Sequence, residues 1–448
     1  MDDRTSASGL VVVLGGGVAG LAAAGKLRRA GWRVRIIERA GRLGGTHRSR
    51  QIGPYTFDVG SIFYESDAKL FDLAPGVRNL CPQVMRVQRR VAPDGTIRHY
   101  PLEPREFLHQ RPLRLARAII DLGWSRLTLR RDGTLDAIAC RRLGRSFFES
   151  SGLASYIARF HQAPASQIDE SFFLRRMAFV ERATRLGALA RLALHGMVTD
   201  RPLNAKSRKP LHVRPRDGVD PIFDRIGRNL IAAGVQLTLG EELQSLRREG
   251  ALFHVQTTSG AFRAQAVVST IPLDTLHRAI FGAASGLTSL DMMTLFVSAA
   301  WLDARLGNVL FNFHPLGRWK RATIYSRIYP APRTGREFLA VETTVAASGQ
   351  YDPQAIFEDF RQHVEQLGLA AGLILEGYEH VENCYPLYHT GSQSILAQIL
   401  HRIARTGVVL AGRQGRFEYL PTSSGVIRRV IEELDVAGPV LPTSEMAA

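Results

Sequence analysis

An α/β fold whose parallel-sheet domain is assembled from separate stretches of chain is predicted by three observations. Leu10–Leu14 is a short β-branched run ending in glycines, Gly20–Ala30 is a small-residue helix, and Val34–Glu38 is a second strand after the turn at Gly31. Strand, glycine-rich turn, helix and strand within about 30 residues is the context a dinucleotide-binding turn needs. Similar helix and strand signals return at Pro221–Leu239 and over 252–271, and again at Val408–Leu434. Between them lie stretches of other character. The expectation is a discontinuous Rossmann-like domain (1–75, 212–285 and 400–440) interleaved with a mixed helix–sheet substrate domain (76–211 and 286–399).

In the intervening stretches, Arg105 to Arg145 holds ten Arg against four acids. Leu113, Leu115, Ile119, Ile120 and Leu122 fall there at helical spacing. Phe147–Phe173 and Arg175–Met197 continue the helical character, and Arg201–Pro215 reads as a connection. Pro221–Ala233 is a helix stopped by Gly234, and Val235–Leu239 is a strand. Strands are expected over 252–257, over 261–271 as one element, and at Thr294–Leu302, Ala322–Tyr329 and Phe338–Thr344. Pro353–Leu367 is a helix, Val408–Ala411 a strand, and Gly425–Leu434 the last helix.

Composition excludes several classes. With 448 residues, 45% apolar and 22% charged, the chain can bury two or three cores and is not disordered. Fifty-eight Lys and Arg against 41 Asp and Glu leave a formal charge of +17. That excess favours anionic partners, either a nucleotide, a carboxylated substrate or a lipid surface, and is equally compatible with a plain basic surface. Nucleic acid is not the expected partner. Cys81, Cys140 and Cys384 are odd in number and far apart, so neither a disulfide framework nor a metal site is expected. MDDRTSAS has no secretory character, and the apolar run Leu10–Gly25 holds five glycines, which points to a cytoplasmic protein.

The chemistry is concentrated at Gly15-Gly16-Gly17-Val18-Ala19-Gly20. Gly15 allows a tight turn, Gly17 lets the backbone approach a pyrophosphate, and Gly20 lets helix and strand pack closely. The helix N-terminus at Val18 and Ala19 offers N–H groups and a partial positive charge. Glu38 ends the next strand, where a carboxylate accepts hydrogen bonds from ribose hydroxyls. The competing reading is a glycine turn that binds nothing. Glu38-Arg39-Ala40-Gly41-Arg42-Leu43-Gly44-Gly45-Thr46 follows, with Arg42 as a cation and Gly44-Gly45 as open backbone for a second diphosphate contact.

This double motif resembles the FAD signature of the amine oxidase, phytoene desaturase and protoporphyrinogen oxidase superfamily. The resemblance implies non-covalent FAD. It also implies an isoalloxazine beside Phe57-Asp58-Val59-Gly60, chain re-entry at Gly218–Ile222, adenine near Leu243, and flavin contacts from Gly412-Arg413 and from a helix starting at Ser423-Ser424. Gly412-Arg413 with Tyr419 is similar to the UDP-galactopyranose mutase-like branch. In that branch a strand like Tyr325–Ile328 carries an arginine on the substrate diphosphate, here Arg327, and a segment like Tyr385–Tyr388 lines the cavity. The resemblance thus proposes Arg327, Tyr419, Tyr385 and His47 as catalytic candidates. For Arg327 the alternative is a purely structural pair with a carboxylate such as Glu342. His161, His314 and His389 are equally readable as core or surface residues. Two segments depart from the branch, Pro421–Gly425 and Ala158–His161.

The implied activity is an FAD-dependent oxidoreductase (dehydrogenase, oxidase or desaturase) moving a substrate hydride to flavin N5. The alternatives are a mutase-like isomerase of a nucleotide sugar, without net redox change, and a flavin-binding scaffold without turnover. The expected partner is a small, anionic substrate. Peripheral membrane contact through Arg105–Arg145 competes with a solvated basic face.

Overall fold

The computed structural model describes residues 9–102, 112–176, 209–329, 335–347 and 349–438. The first part of the Arg-rich insert (105–111), most of the expected helical stretch 175–197 and the connection up to 208 lie outside the described residues.

β1 (Leu10–Leu14) is buried along its whole length, as the centre of a sheet covered on both faces requires. It lies between β2 (Arg33–Glu38) and β14 (Ala266–Ser269), with β10 (Gln236–Leu239) and β20 (Val409–Leu410) at the edges. All four pairings are parallel. The sheet is therefore drawn from three distant stretches of chain. α1 (Val18–Arg29) follows β1 and buries Leu21, Ala22, Ala23, Ala24 and Leu27, small residues that let helix and sheet approach.

The single strand expected over 261–271 is two. β13 (Gly260–Ala264) closes an antiparallel sheet with β11 (Leu243–Glu249) and β12 (Leu252–Thr257), and the chain then changes sheets at Gln265. Its N–H donates to the Leu10 carbonyl at 3.0 Å and its Oε1 accepts from Gly9 N–H at 2.7 Å, which redirects the backbone into the parallel sheet.

The second large sheet has the order β19 (Ala370–Pro386), β15 (Ser289–Leu302), β18 (Glu337–Ala346), β17 (Arg321–Ile324), β16 (Val309–Asn312), β7 (Gln88–Val91), β8 (Ile97–His99). One face packs Leu295, Val297 and Val341 on Ile356, Phe360 and Val364 of α9 (Pro353–Gln366). On the other face the register aligns one row across every strand: Glu379, Thr294, Glu342, Arg321, Phe311, Arg90 and Arg98. Paired residues in neighbouring strands share a face, so these side chains stand together. The strand expected over Ala322–Tyr329 stops at Ile324, and Tyr325–Arg327 forms a 3-10 turn. The Tyr325 hydroxyl is drawn inward, accepting from Asp58 N–H at 3.1 Å.

Asp58 lies on the hairpin β3 (Arg48–Ile52)–β4 (Tyr55–Val59), next to a small sheet of β5 (Phe63–Tyr64), β6 (Gln83–Val84) and β9 (Leu211–Val213). Over the charged row lies a helical layer of α2 (Pro112–Thr128), α3 (Leu135–Leu143), α4 (Arg145–Ser150), α5 (Leu153–His161) and α6 (Ser171–Arg176). Ile138, Phe148, Phe160 and Phe172 of this layer join one core with Phe311, Tyr388 and Tyr419. The remaining helices are α7 (Asp220–Ala232), α8 (Leu273–Phe281), α10 (Ser392–Ala404), the short α11 (Gly412–Gly415) and α12 (Ser423–Ala437).

The turn after β1 leaves no room for a side chain at Gly20. A Cβ on Gly20 would lie 1.8 Å from the Gly15 carbonyl oxygen, whereas one on Gly17 meets nothing closer than Gly45 Cα at 3.6 Å. Gly20→Ala should therefore cost about 3 kcal/mol or more in denaturant unfolding, and Gly17→Ala about 1 kcal/mol or less. Equal stability of the two variants would contradict this packing.

Candidate active site

On the nucleotide side, Gly16 N–H donates to Glu38 Oε2 at 2.6 Å and Ala40 N–H to Oε1 at 2.9 Å. Two backbone donors thus fix the carboxylate, and each oxygen keeps acceptor capacity for a hydroxyl. Gly44 N–H donates to Gly16 O at 2.9 Å, so the two glycine motifs, including Gly17 and Gly45, face each other. No side chain caps α1, whose first N–H groups at Val18 and Ala19 are left to a ligand. Glu241 N–H donates to Glu38 O at 3.0 Å, which brings the start of β11, Leu243, to the same end of the site. A cofactor diphosphate with a ribose at Glu38 fits this cradle. Thr46 is exposed at its rim.

The two arginines of the second motif have carboxylate partners of their own: Arg42 is 3.3 Å from Asp220, and Arg39 is 3.9 Å from Glu382. Asp58 is buried against Arg214, Nε to Oδ2 at 2.7 Å, and fastens the hairpin. At the far end Thr422 Oγ1 caps α12 by accepting Gly425 N–H at 3.0 Å, with Ser423 as first helical residue. Ser424 Oγ accepts Lys69 N–H at 3.1 Å, a structural tie. Gly412 N–H donates to Glu433 at 3.0 Å, which turns Arg413 towards the tyrosines: its guanidinium binds the Cys384 carbonyl and lies 4.9 Å from the Tyr385 ring centre.

The substrate side is aromatic. Tyr385 and Tyr419 stack at 6.2 Å, with Phe160 4.9 Å from Tyr385 and Phe172 5.7 Å from Tyr419. Tyr388, fully buried, accepts Tyr419 N–H at 2.9 Å and donates to Phe417 O at 2.8 Å, which holds the segment carrying Tyr419. Lys320 is the cation at the centre. Its Nζ donates to Tyr385 Oη at 2.8 Å, lies 3.1 Å from Glu342 Oε2, and sits 4.2 Å from the Tyr385 ring centre. Arg321 grips the other oxygen of Glu342. Burial alone would raise the Glu342 pKa, but Arg321 and Lys320 outweigh it and hold the carboxyl below its ordinary value. Burial, with help from nearby anionic groups, pushes the Tyr385 phenol well above its ordinary value, so it stays protonated. His47, 5.5 Å from Phe223, is lowered by burial and by the Arg413 charge, only partly offset by the Gly44 carbonyl, and is neutral at pH 7.

Arg327 is not in this cluster. It donates to the carbonyls of Asp303 (2.8 Å), Gly307 (3.2 Å), Leu302 and Ala304 (both 3.3 Å), and to Glu337 (3.4 Å). Leu302 ends β15, while Leu290 near its start pairs with Tyr385. Twelve residues of strand at about 3.3 Å each separate the two ends by roughly 40 Å. Its carboxylate partner is Glu337, not Glu342. His161, completely buried, packs on Phe160 and Phe172, and His314 pairs with His363 at 2.9 Å, away from the tyrosines. The residues that sequence reasoning missed are Lys320 and Arg321. Their signal was Glu342, a carboxylate inside an apolar strand, which needs a buried cation. A hollow lined by Leu306, Leu310, Phe360 and Val364 lies on the sheet's other face and has no polar group to orient a substrate.

Two outcomes are expected. Arg327→Ala should lower stability by about 2 kcal/mol through lost carbonyl contacts, without a change in the catalytic constants. Glu342→Gln should cost about 3–5 kcal/mol at neutral pH, because it leaves two buried cations short of a countercharge. A depressed folded pKa stabilises above the unfolded value and is lost as the pH falls through the folded one. The gap in melting temperature between wild type and Glu342→Gln should therefore close in acid. A gap constant with pH would show that the pair contributes nothing.

Residues 18–415 match the family model of flavin-containing amine oxidoreductases. No curated protein sequence matches the chain. Among solved structures it is similar to reduced UDP-galactopyranose mutase, with a TM-score of 0.75 and 18% identity over 97% of this chain and 96% of that one. It is also similar to a protein described as a protoporphyrinogen oxidase from Exiguobacterium sp. 255-15 (TM-score 0.70, 16% identity, 95% and 98% covered). A putrescine oxidase variant follows at TM-score 0.58 and 14% identity, with 95% and 98% covered. At these identities the likeness is one of fold. With most of its length matched by the family model, and with the paired glycine motifs built into one nucleotide cradle, the chain belongs to the flavin-containing amine oxidoreductase family.

Proposed function

We propose that the chain is an FAD-dependent oxidoreductase, a dehydrogenase, oxidase or desaturase, acting on a small anionic molecule held over the Tyr385–Tyr419 pair. The observation that carries the reading is Lys320. It is a buried ammonium 2.8 Å from Tyr385 Oη, in an aromatic site that Arg413 also borders. Because Lys320 donates to that oxygen, the phenol proton is directed elsewhere, with the weakly accepting Met292 sulfur at 3.8 Å within reach. Tyr385 and Lys320 together offer two donors to a carboxylate or phosphate, and Phe160 and Phe172 exclude water.

The cradle at Gly17, the donor pair on Glu38 and the uncapped start of α1 support a bound FAD. Bound there, FAD would supply the hydride acceptor at its N5 and the route by which electrons reach oxygen or another acceptor. The reading includes non-covalent attachment. Cys384 is buried near Arg413 with its thiol raised by that burial, and Cys81 and Cys140 are each pushed up to about 12, also mainly by burial. None has the thiolate character that attachment chemistry uses. A cytoplasmic location completes the reading, since three buried free thiols suit a reducing compartment.

The second reading, a mutase-like isomerase of a nucleotide sugar, is favoured by the placement of Arg413 against both tyrosines, 4.9 and 5.7 Å from their ring centres. It is weakened by Arg327, whose guanidinium is occupied by backbone carbonyls. The deciding experiment begins with acid release and identification of the bound flavin. The holoenzyme is then mixed anaerobically with a panel of anionic alcohols, amino compounds and UDP sugars. Bleaching by substrate, reversed by oxygen or a dye, is the expected result; turnover only after prior reduction favours the isomerase, and neither outcome favours a scaffold. Lys320→Met should retain flavin and lower kcat/KM on the order of tens- to a hundredfold, the worth of one charge-assisted contact. Unchanged kinetics would remove Lys320 from the site.

A further inference from the structure

α2 presents an apolar stripe to solvent. Ile119, Ile120, Trp124 and Leu127 are 62%, 71%, 67% and 85% exposed. Ile120, Trp124 and Leu127 recur at four- and three-residue spacing, so they stand on one side of the helix. The opposite side is fixed to the protein: Ser125 is buried, Asp121 accepts Ser146 N–H at 2.9 Å, and the Leu129 carbonyl just beyond the helix accepts from Arg141 at 2.7 Å. The stripe is therefore held outward by packing.

Charge marks its borders. Arg117 is exposed on one edge of the stripe and Arg126 lies on the other. The Arg126 guanidinium is lowered by burial and by the nearby charges of Arg142 and Arg141, which shows three cations crowded together. Asp121, the one acid on α2, faces inward to Ser146. A protein partner would have to match a ridge of isoleucine, tryptophan and leucine with an acidic surround. An anionic bilayer supplies both, with acyl chains for the stripe and headgroups for the arginines. None of the described helices is long and apolar enough to cross a membrane, so α2 would lie in the interface.

We propose that α2 docks this protein on the surface of an anionic lipid bilayer, with Ile120, Trp124 and Leu127 inserted among the headgroups and its basic border, led by exposed Arg117, facing lipid phosphate. α2 packs on α3 and α4 in the helical layer, whose Phe160 and Phe172 wall the active site. Docking therefore brings that wall towards the bilayer.

The test uses the full holoprotein and vesicles of phosphatidylcholine with or without phosphatidylglycerol. Expected are cosedimentation with the anionic vesicles only, a weakening at high salt, and a blue shift of Trp124 emission, identified by difference from Trp124→Phe. The triple variant Ile120→Ser, Trp124→Ser, Leu127→Ser changes exposed side chains only, so it should fold as wild type and bind the vesicles on the order of a hundredfold more weakly. If it melts early, quenching of wild-type Trp124 by brominated lipid decides alone. Absence of cosedimentation, equal binding by the triple variant or unquenched Trp124 overturns the proposal. So does a wild-type dimer that the triple variant converts to monomer without any lipid binding, which would assign the stripe to a second copy of this chain.

Discussion

One carboxylate organises the substrate side of this molecule. Glu342, 2% exposed in the middle of the seven-stranded sheet, holds Lys320 on one oxygen and Arg321 on the other. Two cations on adjacent residues would normally point to opposite faces of a strand. Here Lys320 precedes β17, where the backbone still bends, and its N–H is tied to the Glu342 carbonyl at 2.8 Å, so both reach the same carboxylate. Desolvating these charges is costly, and their mutual pairing offsets that cost. One positive charge is left over from this group, and the proposed function gives that charge to an anion. Tyr385, stacked on Tyr419, takes its position from the same ammonium.

The nucleotide half could be read from the sequence because its determinants are local. Gly15, Gly17 and Gly20 act within one turn, and Glu38 lies on the next strand, so spacing alone predicts their geometry. The strands at Leu10–Leu14 and 252–257 are found where expected for the same reason: short-range alternation and β-branching decide them. Within this half, the sequence could not show that Arg39 and Arg42 acquire acidic partners from residues 382 and 220. Those partners approach through the tertiary fold.

The substrate half was much less legible. Arg327 and Lys320 are seven residues apart and both lie near a strand predicted at Ala322–Tyr329, yet only one reaches the tyrosines. The choice depends on where β17 ends and on which end of the long β15 each residue meets. That is a matter of register, which a single sequence does not fix. β19 escaped notice because it is an edge strand, exposed at many positions and bent by two irregularities in its pairing with β15. Tyr385 and Tyr419 stand side by side in the structure, and they were singled out through resemblance rather than through any pattern in the residues between them.

The contrast between Asp58 and Glu342 shows how the fold separates fastening from function. Both are buried carboxylates bound to arginine. Asp58 has a single guanidinium, Arg214, which also donates to the carbonyls of Thr56 and Pro215 and lies 4.4 Å from the Tyr329 ring centre. Each of the three guanidinium nitrogens is bonded within the protein, so the cluster locks the hairpin. At Glu342 the second cation, Lys320, turns one of its donors to a phenol within the aromatic cluster. An ion pair that closes on itself stabilises position; one that hands a charge onward can act on a substrate. By that criterion the proposed function rests on Glu342–Lys320–Tyr385, while Asp58–Arg214 is the anchor that keeps the hairpin in place.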